Sequence, residues 1–158
     1  MKPVRIVLMA MMVVAVTTGV VSGVSATAHE KATGVVKERM EVMKSIGKSM
    51  KGLSAMAKGE ATYDAAEVKT MATSIQSKSA GVAKLFPEGS LQPASEALPT
   101  IWKDWPKFEQ LSKQLGETSG AVAVAADGGR GAMVPAFATL AKNCNACHTD
   151  FRKKKEEE

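Results

Sequence analysis

The chain has 158 residues, 21 Lys+Arg against 16 Asp+Glu for a formal charge of +5, and 45% apolar residues. That length suits a single domain with a moderate core. So mild a basic excess, with no interleaving of basic and aromatic side chains, excludes a nucleic-acid-binding reading.

The N-terminus reads as an export signal. Lys2 and Arg5 form a basic start, an apolar stretch runs from Ile6 to Val16, and Ala26-Thr27-Ala28 offers a small-residue cleavage site. Cleavage is expected after Ala28, leaving residues 29–158 as the working domain of a periplasmic protein. The unbroken apolar run falls short of the ~20 residues that a membrane span needs, so no stable span is expected.

Beyond the signal, the chain is rich in Ala, Lys, Met, Leu and Glu, a helical composition. A first helix is predicted from about Lys31 to Met56. Its apolar or small positions recur at Val36, Met40, Met43, Gly47, Met50, Ser54 and Ala57, while Lys44, Lys48 and Lys51 share another face. Gly59 and Ala61-Thr62-Tyr63 break it. Asp64, with Glu67 three residues on, forms a capping-box pattern that starts a second helix through Val68, Met71, Ile75 and Val82 to about Leu85.

Pro87, Gly89, Pro93 and Pro99 mark a long connection from Phe86 to Pro99. A third helix begins near Trp102 or Pro106 and runs to about Ala126, where Asp127-Gly128-Gly129 stops it. The fourth occupies about Met133 to Lys155. Pro135 is expected in its first turn, because deeper inside it would kink the helix. Four helices joined by short, long and short connections make an all-α, antiparallel (up-down-up-down) four-helix bundle.

The last helix holds Cys144-Asn145-Ala146-Cys147-His148 and with it both cysteines of the chain. Cys-x-x-Cys-His is the attachment signature of c-type haem, in which the thiols add across two vinyl groups and the histidine ligates the iron. At about 100° per residue, Cys147 lies about 60° and His148 about 40° from Cys144 around the axis, so all three leave one face. A zinc site would lack its other half, since His29 is the only further histidine. A thioredoxin-like pair belongs beside a strand–helix alternation that this pattern does not have. A structural disulfide closing so tight a loop would stabilise little. One covalently bound haem c is therefore expected on Cys144 and Cys147, with His148 on the iron.

A haem motif at the end of the last helix of such a bundle resembles the class II c-type cytochromes: cytochrome c′ and its low-spin relatives of the cytochrome c-556 type. Cys144 to Lys154 resembles the family's C-terminal signature. Lys58-Gly59-Glu60 with Tyr63-Asp64-Ala65-Ala66 resembles its first turn, and Leu98-Pro99-x-Ile101-Trp102 through Phe108 resembles the entry to its third helix. In low-spin members a methionine of the first helix completes the iron, and Met43-Lys44-Ser45-Ile46-Gly47 looks like that segment. High-spin members leave the position open. From its spacing alone Met43 reads as core more readily than as ligand, one of four methionines in that helix, and Met40 and then Met50 are the further choices of ligand.

The resemblance further implies Arg39 as partner of a haem propionate and Arg152 as the basic residue beside the proximal histidine. Trp102 and Phe137 read either as walls of the haem or as ordinary core. The implied function is a one-electron carrier with a low-spin His148/Met43 haem; the alternative is a five-coordinate protein that binds nitric oxide or carbon monoxide. No distal histidine or acid stands beside the expected ligand, so an enzyme is not expected. Lys44, Lys48, Lys51, Lys142 and Lys153 to Lys155 are expected to steer the chain to an acidic redox partner, and the resemblance also implies a homodimer.

Overall fold

In a computed structural model, residues 32–154 are described, so the expected signal peptide, its cleavage after Ala28 and Lys155 lie outside them. Four helices carry the fold: α1 Gly34–Lys58, α2 Ala65–Val82, α3 Trp105–Ala125 and α4 Gly129–Phe151. They form the expected antiparallel four-helix bundle. Short 3-10 turns follow α2 and α3, and a single helical turn, Thr100–Lys103, precedes α3. Among the described residues the only β pairing is one antiparallel bridge between Ala97 and Arg152.

Local chemistry sets the helix ends. Gly59 adopts φ 78°, a left-handed conformation that an L side chain disfavours, and it terminates α1. Asp64 caps α2, its carboxylate accepting from the amides of Ala66 (2.8 Å) and Glu67 (3.0 Å). Only this Asp64 half of the capping box forms. Tyr63 ties the α1–α2 turn to the α3–α4 turn at the same end of the bundle, its hydroxyl donating to the carbonyl of Ala126 at 2.5 Å.

The core is one continuous cluster in which Leu53, Val68, Ala72, Ile75, Val122, Met133 and Leu140 are wholly enclosed. α2 packs along α3, and α3 along α4, over most of their lengths, whereas α1 touches α4 least of the neighbouring pairs. That uneven packing leaves a seam between the first and last helices.

Three expectations are corrected. The buried line of α1 runs through Val36, Arg39, Ile46, Leu53 and Met56. Arg39, Ile46, Leu53 and Met56 each precede an expected core position by one residue, which turns the inward face by about 100°. The expected stripe of Met40, Met43 and Met50 is only half-buried, and Gly47 is exposed. Next, α4 starts at Gly129 and not Met133, placing Pro135 inside the helix. Gly129 (φ 74°) redirects the chain within one residue, and Pro135 and Gly131 are both exposed, so the Gly131 carbonyl left without its amide donor faces solvent. Finally, α4 ends at Phe151 and not Lys155, because Arg152 turns extended and pairs with Ala97.

Ile75→Ala in the haem-loaded protein is expected to cost about 2–5 kcal/mol of unfolding free energy, since its enclosed site on α2 cannot collapse freely. Asp64→Ala should cost about 1 kcal/mol, the worth of one cap. Urea denaturation followed by far-ultraviolet circular dichroism measures both.

Candidate haem-attachment site

The last two turns of α4 carry the attachment motif. Met133, Leu140, Asn143 and Phe151 form its buried line. Phe137, Ala141, Cys144 and Cys147 beside it are half-buried, and His148 is exposed. Both cysteines are free thiols. Across the bundle, α1 carries the half-covered stripe of Met40, Met43 and Met50. Gly47 sits among these residues, and a Cβ built there would meet no atom within 4 Å.

The two helices that pack against each other least are therefore the two that leave an apolar stripe half-uncovered. Large apolar side chains at solvent carry a transfer cost that a flat apolar macrocycle would remove. Two thiols, one imidazole and several thioethers are the donors such a group needs. The residues present fit a covalently attached haem.

The protonation states suit that chemistry. Burial, reinforced by the neighbouring Cys144 and by Asp150, pushes the Cys147 thiol up to about 11, and burial raises Cys144 as well. At neutral pH both stay protonated, which lowers their reactivity toward oxidation. His148 is held below the usual imidazole range, first by desolvation and then by the charge of Arg152, with Glu96 opposing. One edge of the ring is open to solvent, yet the ring stays neutral at neutral pH and keeps a lone pair for a metal.

The remaining expected residues fall as follows. Arg39 is buried, and its guanidinium donates to the carbonyl of Leu85 (2.8 Å from Nη2, 3.2 Å from Nε), to Ser90 Oγ (2.8 Å) and to Ser95 Oγ (3.4 Å). It also lies 4.0 Å above the centre of the Phe86 ring. Arg152, one turn beyond His148, donates to a Glu96 carboxylate oxygen from Nε (2.7 Å) and from Nη2. Trp102 is half-buried and donates from Nε1 to the carbonyl of Phe86 (3.0 Å). Phe137 packs at the edge of the core on the Cys144 side of α4.

Sequence reasoning missed the segment from Ser95 to Thr100, which pins the end of α4. Leu98 donates to the carbonyl of Phe151 (2.9 Å), the Lys153 amide to the carbonyl of Glu96 (2.7 Å), and Thr100 Oγ1 to the carbonyl of Asp150 (3.0 Å). Lys107 adds an ion pair to Asp150 at 3.0 Å. Glu96 and Arg152 stand 56 positions apart, and no local pattern announces such a pairing.

Comparison with known proteins agrees with the motif. Residues 34–152 match the family described as Cytochrome C′. A cytochrome c-556 of Agrobacterium fabrum (strain C58) is 33% identical over 147 residues, covering 93% of this chain and all of that protein. The solved cytochrome c′ of Rhodopseudomonas palustris superposes with a TM-score of 0.75 at 32% identity, covering 79% of this chain and all of the other. A mutant cytochrome c prime from Alcaligenes xylosoxidans, solved as its nitric oxide complex, gives a TM-score of 0.70 at 30% identity, over 77% of this chain and 94% of that one.

Replacing Cys147 with Ala should leave haem held through one sulfur, and replacing both cysteines should leave it extractable by acidified acetone. Mass spectrometry of the intact, denatured chain reads both outcomes.

Proposed function

The chain belongs to the cytochrome c′ family, and on that premise we propose that it is a periplasmic one-electron carrier whose haem iron is held between His148 and Met43. Members of this family carry one covalently attached haem c, and Cys144 and Cys147 are the only thiols here to hold it. When bound, the haem iron supplies the site that takes up and releases the electron.

Two features together support the choice of Met43: it is half-buried on α1, the helix that packs least against α4, and Met43 to Gly47 resembles the ligand segment of low-spin relatives. A thioether is a soft, neutral ligand on a flexible stem, and pairing it with histidine raises the reduction potential. His148 would supply a neutral nitrogen to the iron, and with haem bound the half-buried apolar stripes of both helices would limit water at the centre, so that the charge change would be met by little solvent rearrangement.

The exposed face of α1 suits an acidic redox partner. Lys44, Lys48 and Lys51 are exposed, and among the described residues no ion pair engages them. Lys142 and Lys154 add exposed charge, while Lys153 donates to the carbonyl of Ser95 (2.9 Å). Charges so placed speed encounter more than they tighten binding. Pairing of two copies into a homodimer, implied by the resemblance, is part of the same reading. So is export, which rests on the N-terminal signal pattern; among the described residues no helix is long and apolar enough to cross a membrane.

A second reading rests on the close fit to solved cytochromes c′, one of them a nitric oxide complex. In it Met43 is packing alone, the iron is five-coordinate, and the chain takes nitric oxide or carbon monoxide. The visible spectrum of the ferric protein separates the two. A low-spin signal with a methionine-to-iron charge-transfer band is the expected result, and high-spin iron with rapid nitric oxide binding supports the second reading. Met43→Ala should turn the first behaviour into the second. A mutant that stays low-spin removes Met43 from the iron and brings Met40 forward.

A further inference from the structure

The connection between α2 and α3 touches both helices that flank the seam, at the same end of the bundle. On the α1 side, the Thr33 amide donates to Gln92 Oε1 (3.3 Å), and Arg39 grips Leu85, Ser90 and Ser95. On the α4 side, Glu96 holds Arg152 while Glu96, Ala97 and Leu98 pair with the main chain from Phe151 to Lys153. Ser95 belongs to both sides. Its hydroxyl accepts from Arg39 and its carbonyl from Lys153 Nζ (2.9 Å). An aromatic row runs parallel: Arg39 over Phe86, Phe86 against Phe108 (4.8 Å between centres), and Phe108 against Phe151 (5.4 Å).

Arg39 is the unusual member. It is buried with hydroxyls, carbonyls and an aromatic face around it, and it donates to the carbonyls of Leu85 and Ser90 and to the hydroxyls of Ser90 and Ser95. Desolvation lowers its pKa. A buried guanidinium is costly unless many donors are satisfied, and its planar fork serves several acceptors where an ammonium cannot. Arg39 lies one helical turn before Met43, and Arg152 one turn after His148.

We propose that the Leu85–Thr100 segment is a strap that sets the separation of α1 and α4 across the haem, with Arg39 and Ser95 as positioning residues for the iron site. Direct packing between these helices is slight, so the strap supplies the restraint that packing supplies elsewhere in the bundle. A seam held closed keeps water from the iron and keeps the α1 ligand within reach, and both effects raise the reduction potential. The proposal rests on the family's covalent haem. The ligation of Met43 carries the whole spectral readout but only part of the potential, because exclusion of water acts on the potential without it.

Arg39→Lys and Ser95→Ala leave the net charge unchanged, and Ser95→Ala, at a residue with no implied propionate contact, separates the strap from a direct effect of Arg39 on a haem propionate. In the haem-loaded protein both should lower the midpoint potential while helicity and covalent haem are retained. Arg39→Lys should move the balance between ligated and unligated α1 sulfur by about tenfold, the loss of one charge-assisted hydrogen bond, and so reduce the low-spin fraction. Tyr63→Phe, which removes a hydrogen bond at the opposite end of the bundle, should lower thermal stability and leave potential and spectrum alone.

Potentials in Arg39→Lys and Ser95→Ala that match the parent, or move no further than that of Tyr63→Phe, overturn the strap. If Arg39→Lys does not fold, Ser95→Ala decides alone. If the parent is itself high-spin, the Met43 reading has failed and the spectral readout falls silent, while the potential still tests the strap.

Discussion

An apolar stripe on a helix has to be covered, and in this bundle two stripes are only half covered by protein. α1 and α4 are neighbours with slight mutual contact, and each carries half-buried apolar residues beside its buried line, turned by about 100° on α1 and closely flanking that line on α4. Met40, Met43 and Met50 lie on one such stripe, and Phe137, Cys144 and Cys147 on the other. On the proposed reading, a haem anchored through the two thiols would cover what the fold leaves open, its flat apolar body standing in for helix–helix packing.

The rest of the bundle is arranged around keeping that seam at a usable width. α2 and α3 pack closely on each other and hold α1 and α4 from behind, as the enclosed row of Val68, Ala72, Ile75 and Val122 shows. At one end the Tyr63–Ala126 hydrogen bond joins the two short turns. At the other, the long connection reaches from Thr33 and Arg39 to Phe151 and Lys153. Both flanking helices are thus tied near their ends, and the attachment motif lies in the last turns of α4, next to the tie made by the long connection.

Electrostatics follow the same division. Burial keeps the two thiols protonated and, with Arg152, keeps His148 neutral. The buried charge of Arg39 is spread over carbonyls, hydroxyls and an aromatic ring. Lys44, Lys48 and Lys51 stand in water on the outer side of α1. Charge near the seam positions the chain, and charge on the surface is left for encounter.

The covalent chemistry was legible in five consecutive letters, because Cys144, Cys147 and His148 share a helix face by spacing alone. Helix number, the Asp64 cap and the breaks at Gly59 and Asp127 to Gly129 were legible too, since caps and glycine stops are local. Which face of α1 turns inward was not. Met40, Met43, Gly47 and Met50 are as regularly spaced as Arg39, Ile46 and Leu53, and an arginine within the buried line disguised it. Pro135 inside α4 and the early end of that helix at Phe151 also escaped, because an exposed proline and a bridge to Ala97 depend on surroundings that the local sequence does not contain. Periodicity and motif spacing are properties of neighbours along the chain and determined the bundle and its attachment point. The rotation of α1, the role of Arg39 and the pairing of Glu96 with Arg152 join residues tens of positions apart, so only tertiary packing decided them.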